Sequence, residues 1–214
     1  MRFLVSLLTL MFVAPAFAGD GPDDDGHGGN GGLAHKSFVV ERTFPPGALA
    51  ALDTPVAKRS IVLKNQISGV TWLYSYVNAD RTRTFDLYQG PNTVAVIKAS
   101  QLNRLPIDRV LETPVRLEPR VPPQPGENRR FMVSQTIAPG EAPAFEADAM
   151  AQAEQINSLF GVFWKSSFVN VEGTSSYSLY DAPTANELRD ALIANGFPVG
   201  TITETSGTIL PPAN

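Results

Sequence analysis

The sequence predicts an α+β protein made of two tandem units, each running β-α-β-β-α-β and lying behind an N-terminal leader and a spacer. Three observations predict it. First, Gly69–Pro91 returns 92 residues later as Gly161–Pro183 without a gap, matching Gly69/Gly161, Trp72/Trp164, Ser75/Ser167, Val77/Val169, Asn78/Asn170, Leu87/Leu179, Tyr88/Tyr180 and Pro91/Pro183. A self-match at a fixed period sets the architecture before any one residue is read. Second, short β-branched and aromatic runs alternate with helix-period stretches in the same order in both halves. Third, proline and glycine punctuate the two halves at matching places, Pro46-Gly47 against Pro139-Gly140 and Leu105-Pro106 against Phe197-Pro198.

In the first half, Ser37–Phe44 reads as a strand, stopped by Pro45-Pro46-Gly47. Thr54 stands at an N-cap with Pro55 at the first helical position, and Val56, Leu63 and Ile67 give the helix its apolar spacing as far as Gly69. Val70–Val77 and Thr82–Gln89 flank Asn78-Ala79-Asp80-Arg81 as a hairpin. After Gly90-Pro91, Asn92 caps a second helix carrying Val96, Ala99 and Leu102, which Pro106 ends. Ile107–Leu117 supplies a last strand, and Pro114 within it predicts an edge or a bulge. One such unit forms a four-stranded antiparallel sheet with both helices on one face, the ferredoxin-like arrangement.

The second half restates this plan. Phe131–Ile137 repeats the first strand at a spacing of 93, and Thr184-Ala185-Asn186-Glu187 is a capping box for a helix closing at Gly196. The boundaries expected are therefore a leader over 1–18, a spacer over 19–35, units over 36–119 and 130–212, and a stiff proline-rich linker over 120–129.

Met1-Arg2, the apolar run Phe3–Val13 and the small-residue box Ala16-Phe17-Ala18 form a secretory signal, too short to span a bilayer and expected to be cleaved after Ala18. Export to the periplasm or beyond follows as an expectation. Gly19–Gly32 offers nothing to bury and reads as a flexible spacer. Asp23, Asp25, His27 and the nearby His35 are candidates for loose metal binding there, although the spacing lacks the alternation of a calcium loop. The chain has no cysteine, so disulfides, thiolate nucleophiles and cysteine-ligated metals are excluded. Its 17 basic and 21 acidic residues, with Asp20, Asp23, Asp24 and Asp25 in the spacer, leave a nearly neutral body. Neither a nucleic-acid surface nor a basic membrane patch is indicated, and no second membrane-length apolar segment occurs.

Helices cover only one face of such a sheet, and the other must meet something. On strict alternation Val70, Trp72, Tyr74 and Tyr76 point one way and Thr71, Leu73, Ser75 and Val77 the other, so both faces carry apolar groups. A strand apolar on both sides is buried on both sides. The uncovered face is expected to pack against the other unit, giving a monomer with an internal pseudo-twofold, with the Trp72/Trp164 and Tyr88/Tyr180 pairs as packing residues.

Phe38–Phe44, Gly69–Val77, Phe85–Pro91 and Gly196-Phe197-Pro198 resemble a family of small bacterial ferredoxin-like domains of unknown function, one member of which binds nickel. The resemblance runs through both halves and implies a domain that pairs with a second copy. Family members place one histidine before the Ser-Tyr-Val, another in the helix before the Gly-Phe-Pro, and a cysteine in the third strand. This chain holds Tyr74 and Ser166, Ala99 and Ala191, and Asp86 and Ser178 there, so the family's imidazole site does not carry over.

No phosphate loop, nucleophile elbow or zinc-protease pattern is present, and no cofactor is implied. Two readings remain. One is a non-catalytic binding or interaction module for a small molecule or a protein, with Trp72, Tyr74, Tyr76, Trp164, Tyr180, Glu112 and Glu204 as ligand-binding candidates. The other is a cofactor-free enzyme using Glu41, Asp86 and Tyr88. A close, buried Glu41 and Asp86 in an open cavity would favour the enzyme.

Overall fold

In a computed structural model, residues 35–113, 115–117, 128–138 and 147–212 are described. The first half runs β1 (Lys36–Thr43), α1 (Ala48–Leu52), α2 (Pro55–Ile67), β2 (Thr71–Asn78), β3 (Arg83–Gly90), α3 (Thr93–Leu102), β4 (Arg109–Glu112) and β5 (Val115–Leu117). The second runs β6 (Arg129–Thr136), α4 (Ala147–Leu159), β7 (Phe163–Val169), β8 (Ser175–Ala182), α5 (Ala185–Ala194) and β9 (Thr201–Ile209). The class is α+β with one large antiparallel sheet.

The capping signals act as the sequence suggests. Thr54, Asn92 and Thr184 each accept a backbone N–H of the first helical turn, from Ala57, from Ala95, and from Asn186 and Glu187. Gly69 and Gly161 both sit at φ 66, the left-handed region that lets the chain leave α2 and α4 at once. The helix α1 was not expected from the sequence.

Among the described residues the strands follow the order β4-β1-β3-β2-β9-β6-β8-β7-β5. The outermost strands, β4 and β5, are separated in sequence only by residues 113 and 114. The sheet therefore curls round until its ends are consecutive pieces of one chain. Pro114, expected to disturb the last strand, lies outside the described residues; before it β4 pairs with β1 of its own half, and after it β5 pairs with β7 of the other. β9 makes the same crossing unbroken, with Thr201–Thr205 on β6 and Thr205–Ile209 on β2.

The curled sheet has an inside and an outside. Inside lie Val39, Phe85, Leu87 and Leu111 from the first half with Met132, Phe168, Tyr177 and Leu179 from the second. The Phe85 and Tyr177 rings stand 5.7 Å apart. The Tyr177 hydroxyl donates to Glu41 Oε2 at 2.8 Å, and Arg109 Nη2 donates to Ser175 Oγ at 2.6 Å. On the outside, α2 and α3 cover Phe38, Val40, Val70 and Tyr88, while α5 covers Phe131, Val133 and Tyr180.

Two sequence readings are corrected here. Strict alternation along β2 fails, because a bulge between Trp72 and Tyr74 resets the register. Trp72 and Val77 therefore join the helix-covered core, and Leu73, Tyr74 and Tyr76 pack on the inner cluster. The Trp72/Trp164 and Tyr88/Tyr180 pairs consequently lie under the helices rather than where the two halves meet. The second correction concerns α2, whose Val56, Leu63 and Ile67 are 79%, 63% and 71% exposed. The opposite face, with Ile61 and Asn65, is the buried one, since the helix turns its smaller and polar residues toward α3.

Gly200 is needed where β9 comes down beside β6. A Cβ there would stand 1.9 Å from the Ser134 carbonyl oxygen, whereas one at Gly207 would meet nothing within 4 Å. Gly200→Ala is expected to lower unfolding stability by about 1–3 kcal/mol and Gly207→Ala to change it by less than about 0.5 kcal/mol, measured by urea denaturation. Equal effects would contradict this packing.

Candidate functional site

Five residues from each half occupy matching places between sheet and helices. Trp72, Ser75, Thr84, Asp86 and Tyr88 line a space of about 40 Å³ in the first half. Trp164, Ser167, Ser176, Ser178 and Tyr180 line one of about 370 Å³ in the second. The strands are alike down to the bulge, which recurs between Trp164 and Ser166, and to the indole bond, Trp72 Nε1 to Ser75 Oγ and Trp164 Nε1 to Ser167 Oγ, both 2.9 Å. What differs is the group between them.

In the first half that group is Arg42, with no exposed surface. Its Nε donates to Asp86 Oδ2 at 2.5 Å and its Nη1 to the Pro106 carbonyl at 2.5 Å. Its Nη2 reaches Ser100 Oγ at 2.8 Å and the Tyr88 hydroxyl at 3.4 Å. Burial disfavours the guanidinium charge, but Tyr88 and Asp86 outweigh burial and the pKa of Arg42 is raised. Burial pushes the Tyr88 phenol up to about 12, against the opposing pull of Arg42. The ion pair and its acceptors fill the space, and Leu49 and Leu52 of α1 close its edge.

In the second half Gln135 stands 93 residues after Arg42, and Ser178 stands 92 after Asp86. Gln135 Nε2 donates to the Pro198 carbonyl at 2.7 Å, as Arg42 does to Pro106, and its Oε1 accepts from Ser176 Oγ at 3.1 Å. Ser167 Oγ and Ser178 Oγ are 2.7 Å apart. Two shorter, neutral side chains thus replace a charged pair on the floor of a cavity of ligand size. The helix side contributes Met150, Ala153 and Ile156 of α4, with Phe197 beyond α5. Asn195 Nδ2, bonded to Asn157 Oδ1 at 2.9 Å, ties the two helices together beside it. Glu154 is the one charged group among the described lining residues.

The other sequence candidates fall elsewhere. Glu41 faces the interior of the curled sheet, on Tyr177 and 3.6 Å from Arg83 Nη1, while Asp86 lies on the opposite face with Arg42. The catalytic grouping of Glu41, Asp86 and Tyr88 is therefore not assembled: successive strand residues point to opposite faces, and Asp86 and Tyr88 share a face that Glu41 does not. Glu112 pairs with Lys36 at 2.7 Å and Glu204 with Arg129, both on partly exposed surface rather than in a cleft. Tyr74 and Tyr76 stack edge to face at 5.4 Å. Burial pushes the Tyr76 phenol upward. His35 is exposed before β1; Asp23, Asp25 and His27 lie outside the described residues. Among the described residues no three His, Cys, Asp or Glu side chains gather as a metal site, and no helix is long and apolar enough to cross a membrane. Trp164 and Tyr180 are the candidates that line the large cavity; Gln135, Ser167, Ser176 and Ser178 were missed as site residues, although the Asp86-to-Ser178 exchange was visible.

Fold and site together define an α+β protein with a curled antiparallel sheet and a neutral cavity under the helices of its second half. Residues 38–113, in the first half, match the family described as nickel responsive protein SCO4226-like. No curated protein matches the chain. Similar solved structures include a mutant chlorite dismutase from Candidatus Nitrospira defluvii, at 10% identity and TM-score 0.45 over 81% of this chain and 91% of that one. Another is the putative chlorite dismutase TA0507, at 12% identity and TM-score 0.41 over 81% and 94%.

The two tryptophans report on the two spaces separately. With Trp72→Phe the remaining indole, Trp164, faces the large cavity, and acrylamide is expected to quench it more strongly than it quenches Trp72 in the Trp164→Phe variant. Equal Stern–Volmer slopes would contradict an open second-half cavity.

Proposed function

We propose that this chain is an exported, non-catalytic binding protein whose second half takes a small neutral molecule between sheet and helices. In this reading two tandem ferredoxin-like units, 36–119 and 130–212, form a covalent pseudo-dimer, and the first unit is a closed structural partner. The observation that carries the reading is the space of about 370 Å³ under the helices of the second half, at the place where Gln135 and Ser178 stand for Arg42 and Asp86 and the first half leaves about 40 Å³. The repeated order of elements and the repeated tryptophan–serine bond support the tandem reading. The leader over 1–18 supports export. The nickel response in the family's description is not taken up: where the resemblance puts imidazoles this chain has Tyr74, Ser166, Ala99 and Ala191, and Asp86 is bound to Arg42.

The test restores the plug. In Gln135→Arg/Ser178→Asp the pair seen in the first half is rebuilt against the Pro198 carbonyl, and the double change keeps the buried charges matched. Ethylbenzene is expected to shift the amide resonances of cavity residues in the natural chain and to lose that effect in the folded double variant. Undiminished binding would place the ligand elsewhere. Separately, mass spectrometry of the protein recovered from the periplasm or medium of a bacterial host is expected to show a chain beginning at Gly19; an intact Met1 terminus would contradict export by this leader.

A further inference from the structure

The hydrogen-bond inventory of the cavity sets the chemistry of what it holds; this rests on the binding reading above. The Trp164 indole can only donate, and it donates to Ser167 Oγ. Ser167 Oγ and Ser178 Oγ are bonded to each other, and either can be the donor. Trp164, Ser167 and Ser178 bring three donor hydrogens to these two links, so whichever way the two hydroxyls turn, one serine hydrogen is left over. The Tyr180 phenol carries a further donor hydrogen. Tyr180 is 4% exposed and lines the cavity. Gln135 adds another spare donor, since one of its two amide hydrogens is spent on Pro198 and its oxygen is taken by Ser176.

The first half lacks this surplus. Asp86 is an acceptor with no hydrogen to give, and Tyr88 is approached by the Arg42 guanidinium. Exchange of the carboxylate for the Ser178 hydroxyl turns an accepting floor into a donating one. Among the described lining residues there is no cation to balance an anion, and the one charge, Glu154, is negative. The rest of the wall is apolar: Ile137, Met150, Ala153, Ile156, Val169 and Phe197.

We propose that the second-half cavity selects neutral ligands with an apolar body and a hydrogen-bond-accepting oxygen, that of a ketone, ester or ether, set against the Tyr180 and Gln135 donors. A buried donor left without an acceptor is costly, so a ligand that supplies one gains roughly tenfold over a hydrocarbon of the same shape.

Acetophenone and ethylbenzene make the comparison, because they share the ring and the two-carbon arm and differ in the carbonyl oxygen. Both are titrated into the full chain carrying Trp72→Phe, with Trp164 emission and the amide resonances of Ser178 and Tyr180 as readouts. Acetophenone is expected to bind about tenfold more tightly than ethylbenzene. Gln135→Leu/Tyr180→Phe, which removes both donors, is expected to shrink that ratio severalfold while ethylbenzene still binds, which shows the cavity intact. Equal affinities in the natural cavity would overturn the acceptor selection and leave the binding reading standing. An unchanged ratio in a double variant that still binds ethylbenzene would also overturn it. No response to either probe at saturation would overturn both. If the double variant does not fold, the two-ligand comparison on the parent chain decides.

Discussion

The constraint that the rest of the structure depends on is the two-sidedness of each half-sheet. β1, β3, β6 and β8 carry large apolar side chains on both faces, and helices can cover only one. The inner faces therefore meet, and Val39, Phe85, Met132 and Tyr177 have essentially no exposed surface. Burial of side chains this size is worth about 1.5–3 kcal/mol each, so the inner cluster outweighs the few polar links crossing it. Closure also removes sheet edges. The strand that ends one half continues onto the other, β4 into β5 and β9 along its own length, so that the edge left by each half is capped by its neighbour's chain.

With the inner face committed to packing, only the space between sheet and helices can vary between the halves. There the backbone holds still while the chemistry changes. The bulge, the tryptophan–serine bond and the asparagine pair linking the helices, Asn103 with Asn65 and Asn195 with Asn157, recur in both halves. A scaffold repeated within one molecule makes the first half an internal control for the second: the strands match, and the linings differ at 135 and 178 and in the helix residues that lie over them.

Much of this was legible in the sequence. The caps at Thr54, Asn92 and Thr184 are local signals, and local rules read them correctly. The faces were less legible. A one-residue bulge at Leu73 is invisible to an alternation count, and it inverts every side chain after it, so Tyr74 and Tyr76 part from Trp72 while Ser75 and Val77 join it. The apolar spacing of Val56, Leu63 and Ile67 misled for a related reason: it marks a stripe without saying which stripe faces inward. Of the site, the loss of Asp86 at Ser178 could be seen, but its meaning depended on Arg42, whose partner across the strands is fixed only by the register pairing Arg42 with Thr84 and Val40 with Asp86.

The energetics of buried charge explain why the exchange involves both positions. Removal of one member of a buried ion pair strands the other, at about 3–5 kcal/mol, whereas replacement of both by neutral groups of matching polarity is close to neutral. A chain carrying Ser178 opposite an arginine, or Asp opposite Gln135, would hold an uncompensated charge beneath the helices. The neutral pair avoids that penalty, and it retains the Pro198 carbonyl contact through Gln135. The same step fixes the character of the opening. Having given up its cation and its carboxylate together, the floor keeps hydroxyl and amide donors and no counter-charge, so that an ion entering it would meet the desolvation cost that the exchange itself avoided.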